Sequence, residues 1–321
     1  MLMGTPLMAQ QGEEVLGSDG GVSASVAVLA CAAMAVLYVA ILYAPTFILR
    51  LPPPVSYEAF VIRRFICATI SSLLSLIATA LILPIRWRMT DVFSAYGMRW
   101  DHVWQAFILP LSLTSLMYAG SFVKKILHVL DSHKEHQVEG GAVFMSKIAS
   151  MGTNVSAWRN YIVAPVTEEL VFRACMLPLL LCAGFKTYTA IFLCPIFFSL
   201  AHLNHMLEFY IHKDYSLLNA SMAVAFQLGY TVVFGSYASF LFVRTGHLIS
   251  PLVAHMFCNY MGIPAFFSRR RGVIVSLVFL AGLLGFCWLL FPLTSPDLYN
   301  YGTQSCKCWH RFCTWNPVGS Q

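Results

Sequence analysis

The sequence predicts an all-α fold: a polytopic transmembrane helix bundle with about eight spanning helices around an intramembrane polar cavity. Three observations carry this. The 321-residue chain is 58% hydrophobic and 11% charged, against about 25% charged in an ordinary soluble domain, and its mean hydropathy is +0.70. Apolar runs of about 20 residues, the length that crosses a bilayer as a helix, recur along the chain. One of these runs holds TEELVFR, Thr167 to Arg173, where a lipid-facing helix would carry no charge.

The elements follow in order. Residues 1–22 are polar and Gly-rich, with Glu13, Glu14 and Asp19 and no basic stretch. They read as a polar N-terminal segment, not a cleavable signal, and the first apolar run is expected to act as an uncleaved anchor. Residues 23–122 hold three spans, near 23–49, 64–85 and 103–122. A polar loop, 123–158, contains LDSHKEHQVEGG. Residues 159–294 form the functional core, with spans near 160–182, 187–206, 220–243, 247–264 and 273–292. Residues 295–321 are a tail. No internal repeat is visible.

Charge bias sets the orientation. Roughly twelve Lys and Arg fall on the side of the 123–158 loop and roughly seven on the other, with Arg173 inside the membrane. The positive-inside rule makes the loop side cytosolic and places both termini in the lumen. Trp87, Trp100, Trp104 and Trp158 lie near predicted span ends, where aromatic belts sit. The net charge of +6 is mild. No basic block is interleaved with aromatics, so the expected partner is the lipid bilayer and not nucleic acid. The sequons at Asn154 and Asn219 fall on or near the cytosolic side and are expected to stay unglycosylated.

Seven cysteines, Cys31, Cys67, Cys175, Cys182, Cys194, Cys258 and Cys287, lie in apolar runs and read as small packed hydrophobes. Cys306, Cys308 and Cys313 cluster with His310 in the tail at a spacing that fits no zinc pattern. The histidines of the polar loop read as solvated.

The chemistry concentrates in three segments. Glu169 and Arg173 are four apart, share a helix face and can pair. Glu168 points about 100° away and is left for chemistry, with a pair-only, packing role for the whole trio as the bland alternative. His202 ends FFSLAH in the next segment. With the turn near residues 184 and 185, Glu168 and His202 reach nearly the same depth on antiparallel helices. His205 reads as a capping or packing histidine. In SPLVAHMFCNYMG, Ser250 and Pro251 are expected to start a helix as cap and first residue, and His255 and Asn259 again share a face. Counting 1.5 Å per residue puts Glu168, His202, His255 and Asn259 in one layer, about 20–25 Å from the lumenal side.

A carboxylate beside an imidazole can hold and deprotonate water, and a second imidazole with an amide N–H can donate to an oxyanion. That set suits peptide hydrolysis. GxSxG and HExxH are both absent. Cys175 has no clear support as a nucleophile. Zinc held by Glu168, His202 and His255 stays chemically open. So does a proton relay in a transporter, although neither an inverted repeat nor paired broken helices are evident.

EELVFR, FSLAH and HMFCN match the EExxxR, FxxxH and HxxxN motifs of the CPBP (Abi) intramembrane protease family. The chain resembles its eukaryotic CAAX prenyl endopeptidase branch more closely, through IVAPVTEELVFRACMLP and VAFQLGYTVVFGSYASFLF, with a clear match from Trp158 to Gly262. The resemblance implies an endopeptidase of the endoplasmic reticulum membrane. It would remove the last three residues of farnesylated or geranylgeranylated CAAX proteins such as Ras-type small GTPases. By motif, Glu168 and His202 would activate water, His255 and Asn259 would stabilise the oxyanion, and Glu169 and Arg173 would support the site. It implies a glutamate-dependent reaction with no cofactor, zinc being the less favoured alternative. A non-catalytic scaffold for prenylated proteins is the other rival.

Overall fold

In the computed structural model of the chain, the described residues are 22–84, 89–135, 154–203, 217–265 and 272–300. The tail cysteines, His205, Trp87 and residues 136–153 of the polar loop therefore lie outside the described residues. Helix α1 is Ala24–Phe47 and α2 is Tyr57–Ile82; Ser23 and Ser56 cap them by accepting from the N–H groups of Val26 and Ala59. Then come α3 (Met89–Ala95), α4 (Val103–Met117) and α5 (Ala119–Glu135). Helix α6 runs over 155–182 without a gap, as alternating α and π stretches, with π turns at Arg159–Val163 and Leu170–Cys175. Helices α7 (Thr187–Ala201), α8 (Leu217–Thr245), α9 (Ile249–Met261) and α10 (Gly272–Leu293) complete the bundle, followed by a 3₁₀ turn at Pro296–Leu298.

The protein is a polytopic helical membrane protein, but full-length spans are fewer than the hydropathy suggests. Four helices, α1, α2, α8 and α10, are long and apolar enough to cross, and the α4–α5 pair makes a fifth if its 67° bend is one broken span. Helix α7 has 15 residues and α9 has 13, about 20 Å each at 1.5 Å per residue and short of a hydrocarbon core of about 30 Å. The third predicted span breaks at Tyr118. Beyond it α5 carries Phe122, Ile126, Val129 and Leu130 on one exposed stripe and Lys124 and Lys125 beside it, so the start of the predicted polar loop is an amphipathic helix.

Helix α6 is the axis of the fold. From Val171 to Leu181 nearly every side chain is fully buried against α1, α2 and α7. Apart from Arg173 this stretch is apolar all round and has no polar face to turn to solvent, which is why it sits in the centre. Helix α2 turns Ile62, Ile66, Ile70 and Ile77 outward and Ser71, Ser72, Ser75 and Thr79 inward. These small polar residues permit close helix approach, and two of their hydroxyls find partners across helices. Ser72 donates to the Thr167 carbonyl of α6 at 3.3 Å and Thr79 to the Met34 sulfur of α1 at 3.6 Å. On the other side α8 packs between α7 and α9, while α9 and α10 cover α4.

Contacts between helix ends define two poles. Tyr57 Oη meets Ser156 and Arg159, and Tyr118 Oη donates to the Gly262 carbonyl, at one pole. At the other, the Leu248 N–H donates to Gly97 O, Gly97 having φ of 69°, and Arg99 pairs with Asp101 and donates to Asn300. His247, between α8 and α9 at this second pole, is fully buried beside the Tyr299 carbonyl. Burial, aided by the Arg99 charge, pushes its pKa down from 6.5 to about 4. The unfolded chain therefore binds a proton before the folded one does, and stability falls as pH drops from about 6.5 to about 4. The thermal midpoint in lipid should fall across that window, and His247→Gln should flatten the fall; an unchanged profile in the variant would remove His247 as its cause.

Several local expectations change. Ser250 does not cap α9. Leu248 occupies the cap position without a side-chain bond, and Ser250, fully buried, donates to the Ala106 carbonyl of α4 at 3.0 Å. The packing contact outcompetes the cap. Cys287 is exposed on α10 and Cys182 is half-buried, whereas Cys31, Cys67, Cys175, Cys194 and Cys258 are buried. Asn154, from one sequon, spends its side chain as the N-cap of α6, accepting from Ser156 and Ala157. Trp100, Trp104 and Trp158 are exposed.

Candidate active site

The acid pair ends the α stretch Ala164–Glu169, and a π turn begins at Leu170. Such turns cluster at functional sites because the extra residue re-aims side chains without ending the helix. Glu169 and Arg173 are both 0% exposed, with Nη1 at 3.2 Å from Oε1. The guanidinium also lies over the Phe198 ring at 4.8 Å and donates to the Gly235 carbonyl at 3.4 Å. A Cβ at Gly235 would stand 2.9 Å from the Pro195 ring and 3.1 Å from Arg173, so glycine is what lets the arginine in.

Glu169 has a second partner that the helix spacing did not reveal. His255 Nδ1 lies 2.7 Å from the same Oε1. An ionised carboxylate only accepts, so Nδ1 carries the hydrogen and Nε2 faces the other way. There it stands 3.7 Å from Glu168 Oε2, longer than a hydrogen bond. His255 thus sits between the two adjacent acids. Glu168 is 17% exposed, in contrast to its fully buried neighbour.

His202 occupies the C-cap of α7, with Nδ1 at 2.9 Å from the Phe198 carbonyl. A carbonyl accepts, which again assigns the hydrogen to Nδ1 and leaves Nε2 as the acceptor. Phe198 explains its own place four residues before the histidine. Its ring meets Phe172 at 4.9 Å, His202 at 4.7 Å and His255 at 6.4 Å, in addition to Arg173.

Asn259 lies one turn beyond His255 and donates from Nδ2 to the Asn160 carbonyl at 2.8 Å. The reason lies in the backbone of α6. In the π stretch the Ala164 N–H bonds to Arg159 O, so the next donor in register for Asn160 O would be residue 165. That residue is Pro165, which has no N–H. Asn259 satisfies the orphaned carbonyl and keeps a second N–H and its oxygen for other use.

Glu168, His202, His255 and Asn259 all line one cavity of about 670 Å³, whereas Glu169 and Arg173 lie behind it. The volume falls in the usual range for ligand sites, roughly 300–1,000 Å³. Tyr38 also lines it; its hydroxyl shares a hydrogen bond with Thr167 Oγ1 at 3.0 Å. No sequence signal marked this tyrosine, one aromatic among many in an apolar helix. Cys175 lies in the apolar core and not in the lining. Among the described residues, no three His, Cys, Asp or Glu side chains converge as a metal-binding group.

A type II CAAX prenyl endopeptidase, Rce1-like family model matches residues 151–261, a stretch that holds all six predicted site residues. The chain is 55% identical over 314 residues to CAAX prenyl protease 2 of Arabidopsis thaliana, covering 94% of this chain and 100% of the relative. It is 36% identical over 299 residues to CAAX prenyl protease 2 of Homo sapiens, covering 88% of this chain and 86% of the relative. The chain belongs to the CAAX prenyl protease 2 family. The similarity runs through α1–α5 as well as the motif-bearing helices, so the family fold includes the α1 and α2 walls of the cavity. No solved structure matches the chain.

Proposed function

We propose that the chain is a membrane-embedded endopeptidase that removes the aaX tripeptide from prenylated CAAX proteins, using water activated by Glu168. The placement of Glu168 carries this reading. It is the partly exposed acid of the pair and shares one cavity with two histidines and an amide. Farnesylated and geranylgeranylated proteins, Ras-type small GTPases among them, are the substrates. The setting is the endoplasmic reticulum membrane, with the cavity opening toward the cytosol at the pole of Tyr57 and Arg159, in line with the charge bias. Helices α7 and α9 act as shortened crossings beside the full-length but charged α6, around a wet cavity, and together these three bring the reading to eight crossings.

The proposed reaction uses these groups in order. Glu168, with His202 Nε2 as a second acceptor, takes a proton from the attacking water. The oxygen adds to the carbonyl carbon of the prenylated cysteine. The oxyanion so formed receives donors from Asn259 and from His255 Nε2, the latter when the ring carries both hydrogens. Glu169 accepts from Nδ1 in either case and fixes the ring, and Arg173 neutralises Glu169. The C–N bond then breaks, the leaving amine takes the proton held by Glu168, and the tripeptide departs.

The test is release of the tripeptide from a farnesylated CAAX peptide by the purified chain in lipid. Release should persist in the presence of a zinc chelator, and the unprenylated peptide should be a far poorer substrate. Absence of release by folded protein would overturn the endopeptidase assignment. Loss with chelator and recovery with added zinc would overturn the metal-free mechanism.

A further inference from the structure

The rim of the cavity carries two arginines whose height above Glu168 matches the length of the peptide to be removed. Ser72 donates to the Thr167 carbonyl, which brings α2 and α6 level beside Glu168. Arg64 lies eight residues before Ser72 and Arg159 eight residues before Thr167. At 1.5 Å per α-helical residue Arg64 stands about 12 Å from the catalytic layer, and Arg159, whose path includes the π stretch Arg159–Val163, somewhat less. Both lie toward the same pole, because Tyr57 of α2 meets Ser156 and Arg159 of α6 there. Both line the cavity.

The two guanidiniums flank one aromatic pair. Arg159 donates to Tyr57 Oη at 3.2 Å, Tyr57 meets Phe60 with ring centroids 6.5 Å apart, and the Arg64 guanidinium lies 5.2 Å over Phe60. Arg159 otherwise holds the Asn160 amide oxygen, so its contacts are neutral acceptors. Of the described residues lining the cavity, Glu168 is the one acid. The cavity is therefore polarised, with its anion at the reacting bond and its cations at the rim. Tyr38 lines the same cavity.

A CAAX substrate ends in a free carboxylate three residues after the scissile bond. Three extended residues span about 10 Å. A carbonyl carbon placed beside Glu168 thus puts that carboxylate at the level of the two arginines, within side-chain reach. We propose that Arg64 and Arg159 bind the C-terminal carboxylate of the substrate and so set the three-residue length of the fragment removed. The inference rests on the endopeptidase reading above. The arginines are positioning groups for the leaving tripeptide and take no part in the proton transfers. Arginine suits the task because its planar fork binds a carboxylate through two parallel hydrogen bonds.

The test compares a farnesylated CAAX peptide as the free acid with the same peptide as its C-terminal amide, each on wild type, Arg64→Gln, Arg159→Gln and the double variant. Wild type should prefer the acid by at least about ten-fold in kcat/KM, the scale of one charge-assisted hydrogen bond. The variants should lose that preference mainly through KM, with the amide cleaved as well as before, and Arg64→Lys should restore part of it. Equal cleavage of acid and amide by wild type would overturn the proposal, as would variants that lose both substrates in equal measure. Failure of wild type to cleave either peptide would sink the endopeptidase reading, and this proposal with it.

Discussion

Glu168→Gln should lower kcat for tripeptide release by roughly 10²–10⁴-fold, the usual contribution of a positioned general base, and leave the thermal midpoint nearly unchanged. Glutamine keeps the shape and loses the basic oxygen. Glu168 faces the cavity and His255 Nε2 stands 3.7 Å away, beyond hydrogen-bond distance, so the swap strands no tightly paired partner. His255 keeps its short bond to Glu169. Steady-state kinetics on a farnesylated peptide, with a melting curve on the same sample, checks both halves. A variant that keeps its rate within a factor of about three would remove Glu168 as the base.

Arg173→Met should instead damage the fold. The guanidinium is fully buried against the fully buried Glu169. Removing one partner of such a pair costs about 3–5 kcal/mol, since the other charge stays behind without compensation. Methionine fills much of the volume but offers nothing to the carboxylate or to the Gly235 carbonyl. The expected result is a large drop in thermal midpoint and in yield. Adding Glu169→Gln to Arg173→Met should recover much of that stability, because the stranded charge goes with it. The double variant would still be slow, since His255 would face an amide and not a carboxylate. A single variant as stable as wild type would mean that Glu169 is held by His255 alone.

These two predictions separate neighbours in sequence, and the separation was legible from spacing. Residues four apart share a helix face, so Glu169 and Arg173 had to meet, and the intervening 100° turned Glu168 elsewhere. The depth count set Glu168, His202, His255 and Asn259 in one layer, and all four line one cavity. It used only turn positions and the helical rise.

The rest depended on contacts that no local pattern encodes. His255 and Glu169 are 86 residues apart in sequence, and nothing in either helix states which acid the ring will choose. Asn259 answers a carbonyl orphaned by Pro165, which is readable only once the π register is known. Ser250 looked like a cap because serine before proline commonly is one, but a buried acceptor on α4 took its hydroxyl. Span counting was legible only in part, for a physical reason too. Hydropathy registers apolar length and cannot see that α7 stops at Ala201 or that the chain turns by 67° at Tyr118.

The proposed mechanism requires that water, and not a side chain, attacks the scissile carbonyl. The measurement that tests this most directly is a single turnover of a farnesylated peptide in H₂¹⁸O, with hydroxylamine added in a parallel reaction. One ¹⁸O atom should enter the new carboxylate of the prenylcysteine product, with none in the tripeptide and no hydroxamate formed. A prenylcysteine hydroxamate would reveal an acyl-enzyme on a serine or cysteine and would contradict the activation of water by Glu168.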